Sequence, residues 1–117
     1  MSTVKVDTLV ASDGTSPVTL TKQSAAKVWA RYDGTTATVN NSFNVSSLSD
    51  DADGDQTLTF TNAMTDTNFA FAGDSSRFHT GNDNIASSST VNVFTANSSH
   101  TKSDSNRVSC TIQGDLA

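Results

Sequence analysis

The densest chemistry in the chain is Asp50-Asp51-Ala52-Asp53-Gly54-Asp55. Asp at alternate positions beside a Gly can wrap carboxylates round Ca²⁺, a hard cation that takes about six to eight oxygens. An EF-hand loop closes its shell with a bidentate Glu at the twelfth position, and this chain contains no Glu. The competing reading is a solvated hairpin loop in which Asp53-Gly54 supplies the positive φ angle. Asp51, Asp53 and Asp55 are therefore the metal candidates, but they are too few for a closed oxygen shell. The expectation is a chain with no bound metal and no cofactor.

Nucleophilic catalysis has a thin inventory. His79 and His100 are the only histidines, each in a polar stretch. Ser is so abundant that a Ser/His/Asp composition is met trivially, and a triad is a geometry rather than a composition. There is no Gly-x-Ser-x-Gly elbow and no phosphate loop. A pair of carboxylates set for glycoside hydrolysis is not singled out among so many Asp. No residue set fills the usual catalytic roles, so the chain reads as a non-enzyme.

Trp29 admits two uses: stacking on a sugar ring, or packing in a core or interface. Its position in a strand beside small apolar residues favours packing. Cys110 alternates with Val108 and Ile112 and reads as a small buried hydrophobe. A single cysteine excludes an internal disulfide framework and a four-Cys zinc site. The candidate binding residues are Arg77, His79, His100 and Lys102, joined by Arg107. They cluster in and directly after two long polar stretches, 74–86 and 97–106, where a rigid β scaffold would place recognition. Their ligand would be an anionic or polar surface glycan, held weakly at each site and strengthened by avidity.

The elements that must position these residues follow from composition and period. Ser, Thr and Asn make up 46 of 117 residues, and all 12 acidic residues are Asp. Asp, Asn, Ser and Thr compete with a helix for backbone hydrogen bonds, so a helical bundle is nearly excluded. Only residues 21–27 could form a helical turn. Net charge is −5 and the seven basic residues are scattered, which argues against a nucleic-acid partner. No apolar run reaches the length of a membrane span, and the opening residues lack a signal-peptide pattern. The chain is expected to be soluble and made in a cytosol.

Alternation of period two recurs along the chain. It marks strands at 4–10, 17–20, 28–32 and 39–45, then at 57–61, 69–71, 91–93 and 108–112. Asp13-Gly14 and Asp33-Gly34 are turn signals. Residues 46–55 read as a loop, and 73–89 as a long polar, unperiodic loop. About eight short strands between Asp/Asn/Gly/Ser loops predict an all-β fold, a compact antiparallel β-sandwich. It spans 25–117 and follows a short β-segment, 1–24. That segment lacks aromatics and has too few apolar residues to close a core, so it needs a partner surface or further copies of itself. The expected assembly is a homotrimer.

Several local sequences together resemble a small domain of bacteriophage tail-fibre and tail-associated proteins, many of them marine. Val4-Lys5-Val6-Asp7-Thr8-Leu9 and Gly14-Thr15-Ser16-Pro17-Val18-Thr19-Leu20 look like the short module that often precedes it. The domain then looks to run from Ser24-Ala25-Ala26-Lys27-Val28-Trp29 through Tyr32-Asp33-Gly34. Ser42-Phe43-Asn44-Val45-Ser46-Ser47-Leu48 is the most distinctive piece. Gly54-Asp55-Gln56-Thr57-Leu58-Thr59-Phe60 and Ala63-Met64-Thr65-Asp66-Thr67-Asn68-Phe69 follow in the expected order. The resemblance covers most of 4–72 and weakens beyond it.

What the resemblance implies is an all-β, trimeric virion component without catalysis. The first function to expect is a tail-fibre or tail-tip protein that attaches to the host. It would dock on another virion protein, of tail or capsid, through residues 1–24. A capsid decoration protein or head fibre, and a free carbohydrate-binding module, are the alternatives. The expected location is the virion, with no membrane insertion.

Overall fold

The computed structural model describes residues 3, 5, 8, 10–15 and 25–117, except for the side chains of 83–86. Eight strands follow one another: β1 (Val28–Asp33), β2 (Thr38–Phe43), β3 (Val45–Ala52), β4 (Asp55–Phe60), β5 (Ala70–Ser75), β6 (His79–Ser87), β7 (Thr90–Ala96) and β8 (Val108–Gln113). They form two four-stranded antiparallel sheets, ordered β2-β1-β8-β5 and β3-β4-β7-β6. No helix occurs among the described residues. The strands expected at 4–10 and 17–20, like the docking role of 1–24, fall mostly on residues outside that set. Asp13-Gly14 is a turn, with Gly14 at φ 76° and its amide donating to the Ala11 carbonyl.

Alternation decides what faces inward. In β1, Val28, Ala30 and Tyr32 are buried, and in β8 so are Val108, Cys110 and Ile112. From the second sheet come Leu58 and Phe60 of β4 and Val91 and Val93 of β7. These side chains form one hydrophobic cluster, so the two sheets close on a shared core in a sandwich-like arrangement. Cys110 is buried, and burial pushes its thiol pKa up to about 11. Burial likewise raises that of Tyr32.

Two expected loops are strands instead. Residues 46–55 mostly belong to β3, and 73–89 divide into the end of β5, a short turn at 76–78, β6, and the turn at 88–89. Both β3 and β6 are edges of their sheet. An edge strand needs to bury little of itself, and β3 half-buries only Val45 and Leu48. β6 adds register shifts between Asn82 and Asn84 and between Asn84 and Ser87, which erase any regular period.

The expected run 39–45 is likewise two elements. β2 is bulged opposite Arg31 and Tyr32, so Val39 faces the core while Phe43 pairs with Trp29 on the outer face. Phe43 is 53% exposed. The chain then changes sheets at Asn44, which adopts φ 59°. Asn tolerates this left-handed conformation better than most residues. Its side chain fixes the crossover: Nδ2 donates to the carbonyls of Lys27 and Asn62, and Oδ1 accepts from the Asn62 amide at 2.7 Å.

The sandwich thus has two distinct ends. At one, here the foot, the chain reaches β1 and connects strands through residues 44, 61–69 and 88–89, with 114–117 closing the chain. At the other, the crown, lie residues 34–37, 53–54, 76–78 and 97–107.

Candidate functional site at the crown

Every candidate binding residue lies at the crown. Arg77 is in the β5–β6 turn, His79 opens β6, and His100 and Lys102 lie in the β7–β8 connection. The two long polar stretches are adjacent because β6 pairs with β7, His79 opposite Ala96, and Ala96 bridges to Lys102. The rings of His79 and His100 stack, 4.4 Å between centroids and 25° apart in plane. His100 reaches this place with φ 63°. Beside them Phe78 is 78% exposed at the tip of its turn.

Lys102 and Arg77 are already engaged. Lys102 Nζ pairs with Asp55 Oδ2 at 2.8 Å. Arg77 Nε donates to the Asp104 carbonyl at 2.7 Å. The sequence reading missed Asp104, which organises the crown. Its Oδ1 accepts from the Gly54 amide at 2.7 Å and from Gln56 Nε2 at 3.0 Å, and its own amide donates to Asp53 Oδ1. Gln56 is fully buried beneath it. Asp104 lies within the polar stretch 97–106, but nothing in the sequence links it to Gly54 and Gln56 about fifty residues away.

Gly54 shows why that position carries glycine. It sits at φ 69°, and a Cβ there would stand 2.3 Å from the Ser103 amide nitrogen and 2.4 Å from the Thr95 carbonyl. The β3–β4 turn is thereby pressed against the β7–β8 connection, with Thr95 N donating to Gly54 O. Ser105 joins the third neighbour. Its buried hydroxyl lies 2.8 Å from Ser76 Oγ and donates to the Arg107 carbonyl.

The three acidic metal candidates do not converge. Asp51 accepts from Ser49 and Thr57 hydroxyls, and Asp53 accepts from the Asp104 amide. Asp55 holds Asn92 and Lys102. Partial burial works to raise the Asp55 pKa, and the bonds from Lys102 and Asn92 with the Lys102 charge outweigh it, leaving a net lowering. Among the described residues no three His, Cys, Asp or Glu side chains gather as a metal site requires. Neither imidazole makes a hydrogen bond to a serine hydroxyl or a carboxylate among the described residues.

No family model, curated protein or solved structure matches this chain.

Beside the crown the outer face of the first sheet is hollowed. A cleft of about 520 Å³ is lined by Arg31, Asp33, Asn40, Asn106 and Arg107. A smaller hollow of about 290 Å³, lined by Thr35, Ser76, Arg77, Asp104 and Asn106, adjoins it through Asn106. Trp29 turns its side chain outward, not into the core, and is half-buried. With Ala72, Asp74, Ser109 and Thr111 it lines a shallow, mainly apolar groove of about 450 Å³ that Arg31 joins to the cleft.

Proposed function

We propose that the protein is a structural component of a bacteriophage virion, a trimeric tail-fibre or tail-tip protein that takes part in host attachment. The observation that carries this reading is the opposition of the two ends. Residues 1–24 are followed by Lys27 at the foot, whose amide donates to the Ile112 carbonyl, while the exposed Arg77, Phe78 and stacked histidines stand at the crown. A segment docking at the foot would turn the crown outward. The sequence resemblance to tail-associated domains supplies the biological setting. Phe43 and Phe78, exposed like Val10, are apolar groups that contacts in a trimer or at a surface would cover.

The test is genetic. Arg77→Ser together with Phe78→Ser removes the most prominent crown side chains without touching the core. Adsorption of the variant phage is expected to fall while particle yield and protein content stay normal. Deleting 1–24 is expected to lose the protein from particles while 25–117 still folds. Unchanged adsorption would shift the reading to a capsid decoration protein or head fibre. Sedimentation at micromolar concentration is expected to report a trimer, and a monomer would contradict the assembly.

A further inference from the structure

We infer that the cleft between Arg31 and Arg107, continued by the Trp29 groove, binds an acidic saccharide of the uronate kind. The inference deepens the attachment reading. It rests on that reading for the biological source of the ligand, and the chemistry of the cleft stands without it.

The cleft is built by the backbone. The shift in the β1–β2 register leaves Asn40 without a cross-strand partner, between Asn41 opposite Arg31 and Val39 opposite Tyr32. Such bulges re-aim side chains, and Asn40 lines the cleft beside Arg31. On the other side Arg107 immediately precedes β8, whose first residue, Val108, pairs with Tyr32. Both arginines are exposed, and among the described residues neither guanidinium has a hydrogen-bond or ion-pair partner. They differ in this from Lys102 and Arg77, which are engaged at the crown. A planar guanidinium offers paired donors that match a carboxylate, and two of them over one cleft make an anion the fitting occupant.

The remaining lining selects a sugar over a bare anion. Asn40 and Asn106 bring amides that both donate and accept, suited to hydroxyl groups. Asp33 supplies a carboxylate. Hydrogen bonds from the Thr35 hydroxyl and amide to Asp33 Oδ1, with the Thr36 amide adding to them, hold its pKa below the ordinary value, so it meets a ligand hydroxyl as a charged acceptor. Next to Arg31 the groove presents Trp29, whose ring can take the C–H face of a pyranose against its electron-rich surface. Ala72 and Thr111 keep this side of the groove low. Asp33 in the cleft and Asp74 in the groove offset the two arginines, and the whole chain carries −5. That balance disfavours a dense polyanion and suits about one charge per sugar, with hydroxyls satisfying the rest.

The experiment uses the purified full chain with two probes, a β-1,4-linked tetraglucuronate and cellotetraose. Isothermal titration is paired with NMR of the Trp29 indole N–H and the Arg31 and Arg107 Nε–H signals. The acidic tetramer is expected to bind with a submillimolar Kd, weaken with added NaCl and move all three signals, and cellotetraose to bind at least tenfold more weakly. Arg31→Gln with Arg107→Gln should cost at least tenfold. Lys27→Gln, which removes one positive charge at the foot as each arginine substitution does in the cleft, should leave Kd unchanged. Arg107→Gln alone, outside the strands, serves if the double variant fails to fold, with a loss of several-fold. Equal affinity for both tetramers, retention of binding in a folded arginine variant, or no binding of the acidic tetramer at millimolar concentration would overturn the inference. None of these results bears on whether the protein sits in a particle. Saccharide binding by a protein absent from particles would instead support the free carbohydrate-binding module.

Discussion

The foot and the crown close the same sandwich by opposite means. At the foot the plug is apolar: Met64 and Phe69 are buried, Leu116 packs against them, and Phe69 meets Phe60 edge to face with centroids 5.8 Å apart. Backbone bonds from Met64 to Ser88 and from Thr65 to Asp115 tie it down. At the crown the plug is polar. Asp104, Gln56, Ser105 and Thr95 fill the space beneath the turns, and the hydrogen-bond lattice runs through backbone amides and carbonyls. An apolar plug stabilises through area removed from water and tolerates small shifts. A polar plug is directional, so it holds turns in one shape and leaves Arg, His and Phe side chains outside. The difference assigns stability mainly to the foot and surface shape to the crown.

Phe69→Ala is the largest expected break. It should cost about 3–4 kcal/mol of unfolding free energy in denaturant titration, from lost burial and the cavity left behind. A loss below about 1 kcal/mol would mean the foot is not the stabilising plug. Gly54→Ala should follow at about 2–3 kcal/mol, because a methyl meets backbone on two sides in a left-handed turn. Its distinguishing readout is local: amide signals of residues 95–105 should shift while those of 61–69 stay put. Movement at both ends would show that crown and foot are one cooperative lattice.

The pattern of these two ends was unevenly legible in the sequence. Strands β1, β4, β7 and β8 were readable because each buries one face and alternates cleanly. Edges β3 and β6 were not, since polar edge strands carry no apolar period. Asp33-Gly34 and Asp53-Gly54 were recognisable as turns, but that Gly54 is pinned beneath Ser103 depends on contacts almost fifty residues apart. The binding candidates Arg77, His79, His100 and Lys102 came from two separate polar stretches, and it is the β6–β7 pairing with the Ala96–Lys102 bridge that brings those stretches side by side. Their engagement with Asp104, Asp55 and each other is a tertiary outcome. Arg31 carried no signal, because its cleft exists only once Asn40 is bulged and Arg107 is brought alongside. Trp29 read as packing in a core or an interface, and the β1 register takes it out of the core and onto the outer face.

Alkali tests the core that both ends share. The Cys110 thiol titrates near 9.0 when unfolded and at about 11 when folded. Its contribution is whole below about pH 9 and is lost as pH climbs through about 11, because only the unfolded chain releases the proton in that interval. The loss should amount to roughly 2–3 kcal/mol, with Tyr32 adding in the same direction. Cys110→Ala should remove the thiol's share of the slope, measured as unfolding free energy against pH. An unchanged slope would place the thiol in contact with water.

The smallest expected effect is that of calcium. Asp51, Asp53 and Asp55 serve three separate sets of partners, so EGTA and millimolar Ca²⁺ should give melting temperatures within about 1 °C of each other. A rise of several degrees with Ca²⁺ would mean the crown rearranges to gather these carboxylates.

The central claim, that the foot docks and the crown faces outward, is tested most directly by electron cryomicroscopy of the assembled phage particle. The account predicts threefold density fitted by this sandwich, with Lys27 toward the particle and the 76–78 and 97–107 turns farthest from it. Density with the crown turned inward, or particles that lack the protein, would contradict it.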